Sequence, residues 1–221
     1  MIHLTPTHTV RSGSNLAFAE GRAEFQRNGC LKLSGLVDPT LLRQLQSALD
    51  RSEFYERAHE GIGVELCAAP GALTSALEFM LNDPILFGLI ADLTGCSAIG
   101  CFEGRVYRLS PATGHHDSWH DDVGEDRLVA MSINLGREPF EGGLLQIRRA
   151  DSPVIVRAVA NPTPGDAVIF QIDPAYRHRV GPLTGAVPRT ACAGWFRSSP
   201  DFQTLLQDKL SLAGQNASDR A

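Results

Sequence analysis

The chain changes texture at Gly95. Before it, apolar residues recur at helical spacing; after it, they come in short alternating segments cut by Gly, Pro and Asp. That second pattern belongs to strands buried on one face, so the larger part of the chain is expected to be an all-β core preceded by helices. Strands are predicted over residues 99–109, 118–121, 128–135, 144–149, 154–160, 167–171, 178–181 and 190–197. Eight strands of this length suit a double-sheet jelly roll, an architecture whose open mouth hosts ligand sites.

The N-terminal segment supplies the helices. Apolar spacing predicts one over 17–28, followed by a short strand in "GCLKLSGLV". Asp38-Pro39 and Asp83-Pro84 are start signals, the Asp capping and the Pro entering the first turn. Helices are therefore expected from Pro39, over 73–81, and from Pro84 to near Gly95. Residues 57–73 are Gly-rich and read as an irregular loop, either a plain connection or a cover for a site. With 221 residues the chain fits one domain: 1–98 as mainly helical support, 99–199 as β core, and 211–221 as a small, polar tail expected to fray.

Charge and cysteine usage narrow the function classes. A net charge of −5 argues against a polyanionic partner, so no nucleic acid is expected. Arg105, Arg108, Arg148 and Arg149 form a local basic strip, read as a site for a small carboxylate or phosphate or, equally, as solvated charge. The five cysteines are odd in number and lack a C-x-x-C pair, which suggests neither a zinc ribbon nor a disulfide framework. The start, "MIHLTPTHTV", has no leader-like pattern, and no run reaches the roughly 20 apolar residues of a membrane span. A cytoplasmic protein with no membrane partner is the expectation. Oligomeric state is not legible.

Chemistry enters at "SWHDD". His120 and Asp122 form an H-x-D pair, and His178 is a second imidazole far downstream. Two imidazoles and a carboxylate can occupy one face of a metal and leave the other open, as suits a non-haem Fe(II) oxygenase. In an extended segment His120 and Asp122 point to the same side, with Trp119 and Asp121 facing away. His115 and Asp117 offer a competing H-x-D pair. The later one is preferred because a charged turn and the strand-like "LVAMSINL" follow it directly. His115 and His116 then become loop residues near the mouth of the site.

From Tyr107 to Trp195 the sequence resembles the Fe(II)/2-oxoglutarate-dependent dioxygenases, within them the prolyl-hydroxylase-like group. The matching pieces are "VYRLSPATG" ahead of "WHDD", then "FEGGLLQI", "PTPGDAVIF" and "HRVGPLTGAVPRTACAGWF", in the expected order. The resemblance implies a double-stranded β-helix, cupin-like, holding Fe(II) through His120, Asp122 and His178. It also implies 2-oxoglutarate as cosubstrate, its far carboxylate met by Arg189 near the start of the last strand, with Tyr107 adding a hydroxyl. A guanidinium fork suits that carboxylate. Many relatives carry a hydroxyl two positions after the arginine, where this chain has Ala191, and Thr190 points the other way by parity. Trp195 shares a face with Arg189 and is read as core filling. With Asp122 present, hydroxylation is favoured over halogenation, and the resemblance leaves desaturation, ring formation and epoxidation open.

The implied activity is hydroxylation of an amino acid, peptide or small natural-product intermediate, consuming dioxygen and releasing succinate and CO₂. Substrate contacts are expected from Arg105, which shares the parity of Tyr107, from Gln146 and Arg148, and more weakly from His116 and Trp119. The alternatives are a prolyl-hydroxylase-like enzyme acting on a protein side chain, and a jelly-roll metal- or carbohydrate-binding module without turnover. A zinc hydrolase would leave Arg189 unexplained.

Overall fold

The computed structural model describes residues 2–124 and 126–218. In chain order its elements are β1 (Ile2–Leu4), β2 (Thr9–Arg11), α1 (Asn15–Asn28), β3 (Cys30–Leu33), α2 (Pro39–Leu49), β4 (Phe54–His59), β5 (Gly63–Ala68), α3 (Ala72–Leu81) and α4 (Pro84–Thr94). The second half carries β6 (Cys101–Leu109), β7 (His116–Asp117), β8 (Arg127–Asn134), β9 (Leu145–Arg149), β10 (Ile155–Val159), β11 (Ala167–Gln171), β12 (Tyr176–Val180), β13 (Arg189–Arg197) and α5 (Phe202–Ser218).

Two antiparallel sheets face each other as a double-stranded β-helix. The larger runs β3-β11-β8-β13-β6-β5-β4, with β7 on β5; the smaller runs β10-β9-β12. Side-chain alternation divides the large sheet. Val106, Ile133, Cys192 and Phe196 face the helices, in one cluster with Leu77, Leu81, Leu86 and Ile90. Burying each such Leu or Ile contributes about 1.5–3 kcal/mol, so this layer anchors the sheet that carries the site. The opposite face, with Arg105, Tyr107, Arg189 and Ala193, turns inward to a cavity of about 500 Å³ between the sheets.

The helix starts behave as their caps predict. Asp38 accepts from the Thr40 and Leu41 backbone N–H groups, and Asp83 from that of Ile85. Gly95 ends α4 at φ 75°, a conformation that favours glycine. Among the described residues no single helix is long and apolar enough to cross a membrane.

Several elements depart from expectation. The segment read as an irregular loop from residue 57 is largely a hairpin, β4 paired with β5 from Phe54↔Ala68 to His59↔Gly63. Tyr55, Glu56, Arg57 and Ala58 are all exposed whichever side they point to, so β4 carries no alternation of buried and exposed residues. Over 118–121, where a strand is expected, there is only one isolated bridge, between His120 and His178, and the two-residue β7 precedes it. The tiny pair β1–β2 gave no periodic signal at three residues each. In the tail expected to fray, α5 runs through Ser218, and residues 219–221 lie outside the described residues.

Candidate active site

His120 and His178 meet through a pair of backbone hydrogen bonds, His120 N–H to the His178 carbonyl at 3.1 Å and the reverse at 2.8 Å. This bridge joins the two ends of the site despite their separation in sequence. The His120 ring is oriented by its Nδ1, 2.7 Å from the Ser118 carbonyl, which leaves Nε2 facing Asp122 Oδ1 at 3.6 Å. His178 Nε2 lies 3.1 Å from Asp122 Oδ2, its ring edge-on to Phe170 at 4.7 Å.

Asp122 does not reach the site by strand parity. Its φ is 58°, so a left-handed turn swings the carboxylate back between the histidines. Asp and Asn tolerate this conformation better than most residues. Burial alone would raise the Asp122 carboxyl, but the hydrogen bond and charge of His178, the charge of His120 and the Trp195 indole outweigh it, holding it at about 2. The carboxylate is ionised. Arg127 braces the turn, donating to the Asp122 carbonyl at 3.0 Å and stacking on the Trp195 ring at 3.6 Å.

One donor atom from each of His120, Asp122 and His178 lies within 4.8 Å of the others. The set fits a divalent cation: two imidazole nitrogens and an ionised oxygen, oriented by outer hydrogen bonds, open on the cavity side. The competing pair separates. His115 turns away, its Nδ1 accepting from the Ser110 N–H at 3.1 Å, while Asp117 accepts from the Val180 N–H at 2.6 Å and lies beside His120 Nδ1.

A second polar group lies deeper. Arg189 is only 5% exposed and donates to the Tyr107 hydroxyl and, at 2.8 Å, to Ser132 Oγ. Burial raises the Tyr107 phenol despite the charge of Arg189, so it remains a neutral donor. Ser132 carries no signal in the sequence pattern. It lies on β8 opposite Ala193 and puts a hydroxyl on the guanidinium that β13, with Ala191, does not supply. Thr190 does face the other way, accepting from Arg108. Gly143, at φ 58°, passes so close that a Cβ there would sit 3.3 Å from Arg189 Cδ and 2.9 Å from Leu183 and Phe140.

Of the expected substrate residues, Arg105 and His116 line the cavity. Gln146, Arg148 and Trp119 do not. They sit on the outer face of β9 and β12, where Arg148 and Arg179 flank the Trp119 ring at 4.5 and 4.6 Å. The parity that linked Gln146 to Arg148 is right, but Ile147 and His178 take the inward side. The basic strip is likewise dispersed: Arg108 lies over Phe54, and Arg149 pairs with Asp151 at the surface. Trp195, read as core filling, is a cavity residue whose indole N–H donates to Asp122 Oδ2 at 2.9 Å.

These positions coincide with a known sequence pattern. The family model described as the 2OG-Fe(II) oxygenase superfamily matches residues 104–197. Those residues belong to that superfamily. The match spans His120, Asp122, His178, Arg189 and Tyr107, and the superfamily's Fe(II) and 2-oxoglutarate are the cofactors it brings. The chain is similar in fold to a Pseudomonas putida prolyl-4-hydroxylase, at 23% identity and TM-score 0.61, covering 83% of this chain and 100% of that one. It also resembles an α-ketoglutarate-dependent epimerase from nogalamycin biosynthesis, at 15% identity, TM-score 0.60 and 83% of each chain. A third similar fold is a Trichoplax adhaerens prolyl hydroxylase solved with a hypoxia inducible factor peptide, at 15% identity, TM-score 0.57, 85% of this chain and 94% of that one. No curated protein sequence matches the chain.

Proposed function

We propose that this oxygenase is an Fe(II)- and 2-oxoglutarate-dependent hydroxylase of a small molecule or peptide, with His120, Asp122 and His178 as metal ligands and Arg189, Tyr107 and Ser132 as the cosubstrate anchor. The observation that carries the reading is that both groups line one cavity: an open-faced His-Asp-His set and, deeper, a buried guanidinium with two hydroxyls. A metal-binding module without turnover would have no use for Arg189, a buried cation with no carboxylate on it among the described residues.

When bound, the iron supplies dioxygen activation coupled to decarboxylation of 2-oxoglutarate to succinate and CO₂. The chain's own residues orient and exclude. The Ser118 carbonyl fixes the His120 tautomer by accepting from Nδ1–H, keeping Nε2 available as a ligand. Trp195 and Arg127 hold the Asp122 carboxylate in its turn. Arg189 would present its fork to the distal carboxylate of 2-oxoglutarate, a charge-assisted pairing in a cavity whose apolar lining includes Met131, Leu145, Val168 and Phe170. We further propose that the whole chain acts as one cytoplasmic domain.

The test is succinate release by anaerobically loaded protein exposed to oxygen with amino acids, peptides and small metabolites in turn. The reading predicts release that requires both Fe(II) and 2-oxoglutarate, is stimulated by one substrate class, and is abolished in His178→Ala. Release that persists in His178→Ala, or none with a protein that binds neither component, contradicts it.

A further inference from the structure

Glu65 is a buried carboxylate that neither the metal group nor the cosubstrate anchor uses. It is 6% exposed and gathers three partners on a single oxygen: His59 Nε2 at 2.9 Å, Cys67 Sγ at 3.3 Å, and Arg105 Nε. Its other oxygen has no partner among the described residues. Arg105 is in the same position, engaged through Nε while both terminal nitrogens lack a hydrogen-bond partner among the described residues. Both residues line the cavity that holds His120, Asp122 and His178. On the β13 side Arg105 is paired with Ala193, a small neighbour that leaves room beside the guanidinium.

His59, Glu65 and Cys67 are close enough to suggest a second metal. A cation does not fit. Arg105 already neutralises the carboxylate, and burial with the charge of Glu65 pushes the Cys67 thiol up to about 11, so it keeps its proton. What remains is a fixed pair of opposite charges, each with one side turned to the cavity.

We propose that Arg105 and Glu65 recognise the carboxylate and ammonium of a free α-amino acid, which is the substrate class of this oxygenase. The inference rests on the oxygenase reading above. The two free Arg105 nitrogens form a fork that matches a carboxylate bidentately, and an ionised carboxylate oxygen accepts from an ammonium. His59 and Cys67 pin Glu65, and Glu65 pins Arg105, so little side-chain freedom is lost on binding. A residue inside a peptide offers neutral amides at both places and leaves the pair's charges unsatisfied, the situation in which polar sites discriminate most strongly. A simple monocarboxylate would satisfy Arg105 and leave Glu65 without a donor.

The experiment uses full-length protein loaded with Ni(II) and 2-oxoglutarate, which prevents turnover, titrated calorimetrically with the twenty protein L-amino acids. Each binder is then compared with its N-acetyl and C-terminal amide derivatives. At least one free amino acid is expected to bind, and blocking either end is expected to weaken it roughly thirty-fold or more. Glu65→Gln and Arg105→Lys, checked for folding by circular dichroism and thermal melting, are expected to lose about tenfold or more of that affinity. Their 2-oxoglutarate affinity should fall by less than their amino acid affinity, because Arg189 is untouched although Arg105 lies against the Tyr107 ring. Equal binding of free and blocked forms, wild-type affinity in both variants, or no amino acid binding to a protein that does bind Ni(II) and 2-oxoglutarate would overturn the proposal. Failure to bind Ni(II) and 2-oxoglutarate would instead remove the oxygenase reading, and this inference with it.

Discussion

The indole of Trp195 holds Asp122 in place, its N–H 2.9 Å from Oδ2 on the far side of a left-handed turn. Such outer hydrogen bonds orient a ligand and are worth about 10- to 100-fold in metal affinity. Trp195→Phe keeps the ring under Arg127 but removes the donor. It is expected to weaken Mn(II) binding, read by electron paramagnetic resonance, by about tenfold or more while the fold survives. Unchanged affinity would mean that the turn alone positions Asp122.

The cosubstrate anchor divides into a charge and two hydroxyls. Arg189→Met should lower 2-oxoglutarate affinity by about a hundredfold, and Ser132→Ala by roughly 3- to 10-fold, the range for one neutral hydrogen bond. Isothermal titration with Ni(II)-loaded protein measures both, and metal affinity should hold constant. Equal losses in the two variants would contradict the division.

Gly142 and Gly143 both sit at positive φ in the "FEGGLLQI" turn, and Gly143 is the one that packs against Arg189. Gly143→Ala puts a Cβ at φ 58° and within 2.9 Å of Leu183 and Phe140. The backbone strain alone costs about 2 kcal/mol, a fall of about 4–8 °C in melting temperature for a chain of this size. Because Arg189 Cδ is also displaced, 2-oxoglutarate binding should weaken with it. A variant that melts lower but binds normally would show that the turn is only structural.

Much of this was legible locally. Ligand chemistry restricts residue type, which singles out His120, Asp122 and His178 as a candidate set, and the resemblance places Arg189 near the start of the last strand. The residues that could not be read depend on register between distant strands. Ser132 matters because β8 places it opposite Ala193, and Glu65 because β5 brings it to Arg105; neither neighbour is close in sequence. Gln146 and Arg148 show the converse. Parity put them on one face correctly, but only the pairing of Ile147 with His178 says which face is inside. Trp195 carried an available signal: a buried indole N–H needs an acceptor, and its strand face already pointed to the site.

Asp122 also sets an acid dependence in metal-free protein. Its carboxyl sits at about 2, below the roughly 3.9 of an unfolded chain, so its stabilisation is complete above the unfolded value and lost as pH falls through the folded one. The melting-temperature gap between wild type and Asp122→Asn should therefore be widest near pH 6 and narrow as the pH falls below about 4. A gap that widens with acid would reverse the sign and refute the assignment of His178 and His120 as its stabilising partners.

Anomalous diffraction from crystals grown anaerobically with Mn(II) and 2-oxoglutarate tests the central claim most directly. The account predicts one strong peak among His120 Nε2, the Asp122 carboxylate and His178 Nε2, with the distal carboxylate of 2-oxoglutarate on Arg189. A peak at His115 and Asp117 or at His59, Glu65 and Cys67, or a cosubstrate whose carboxylate ignores Arg189, would contradict it.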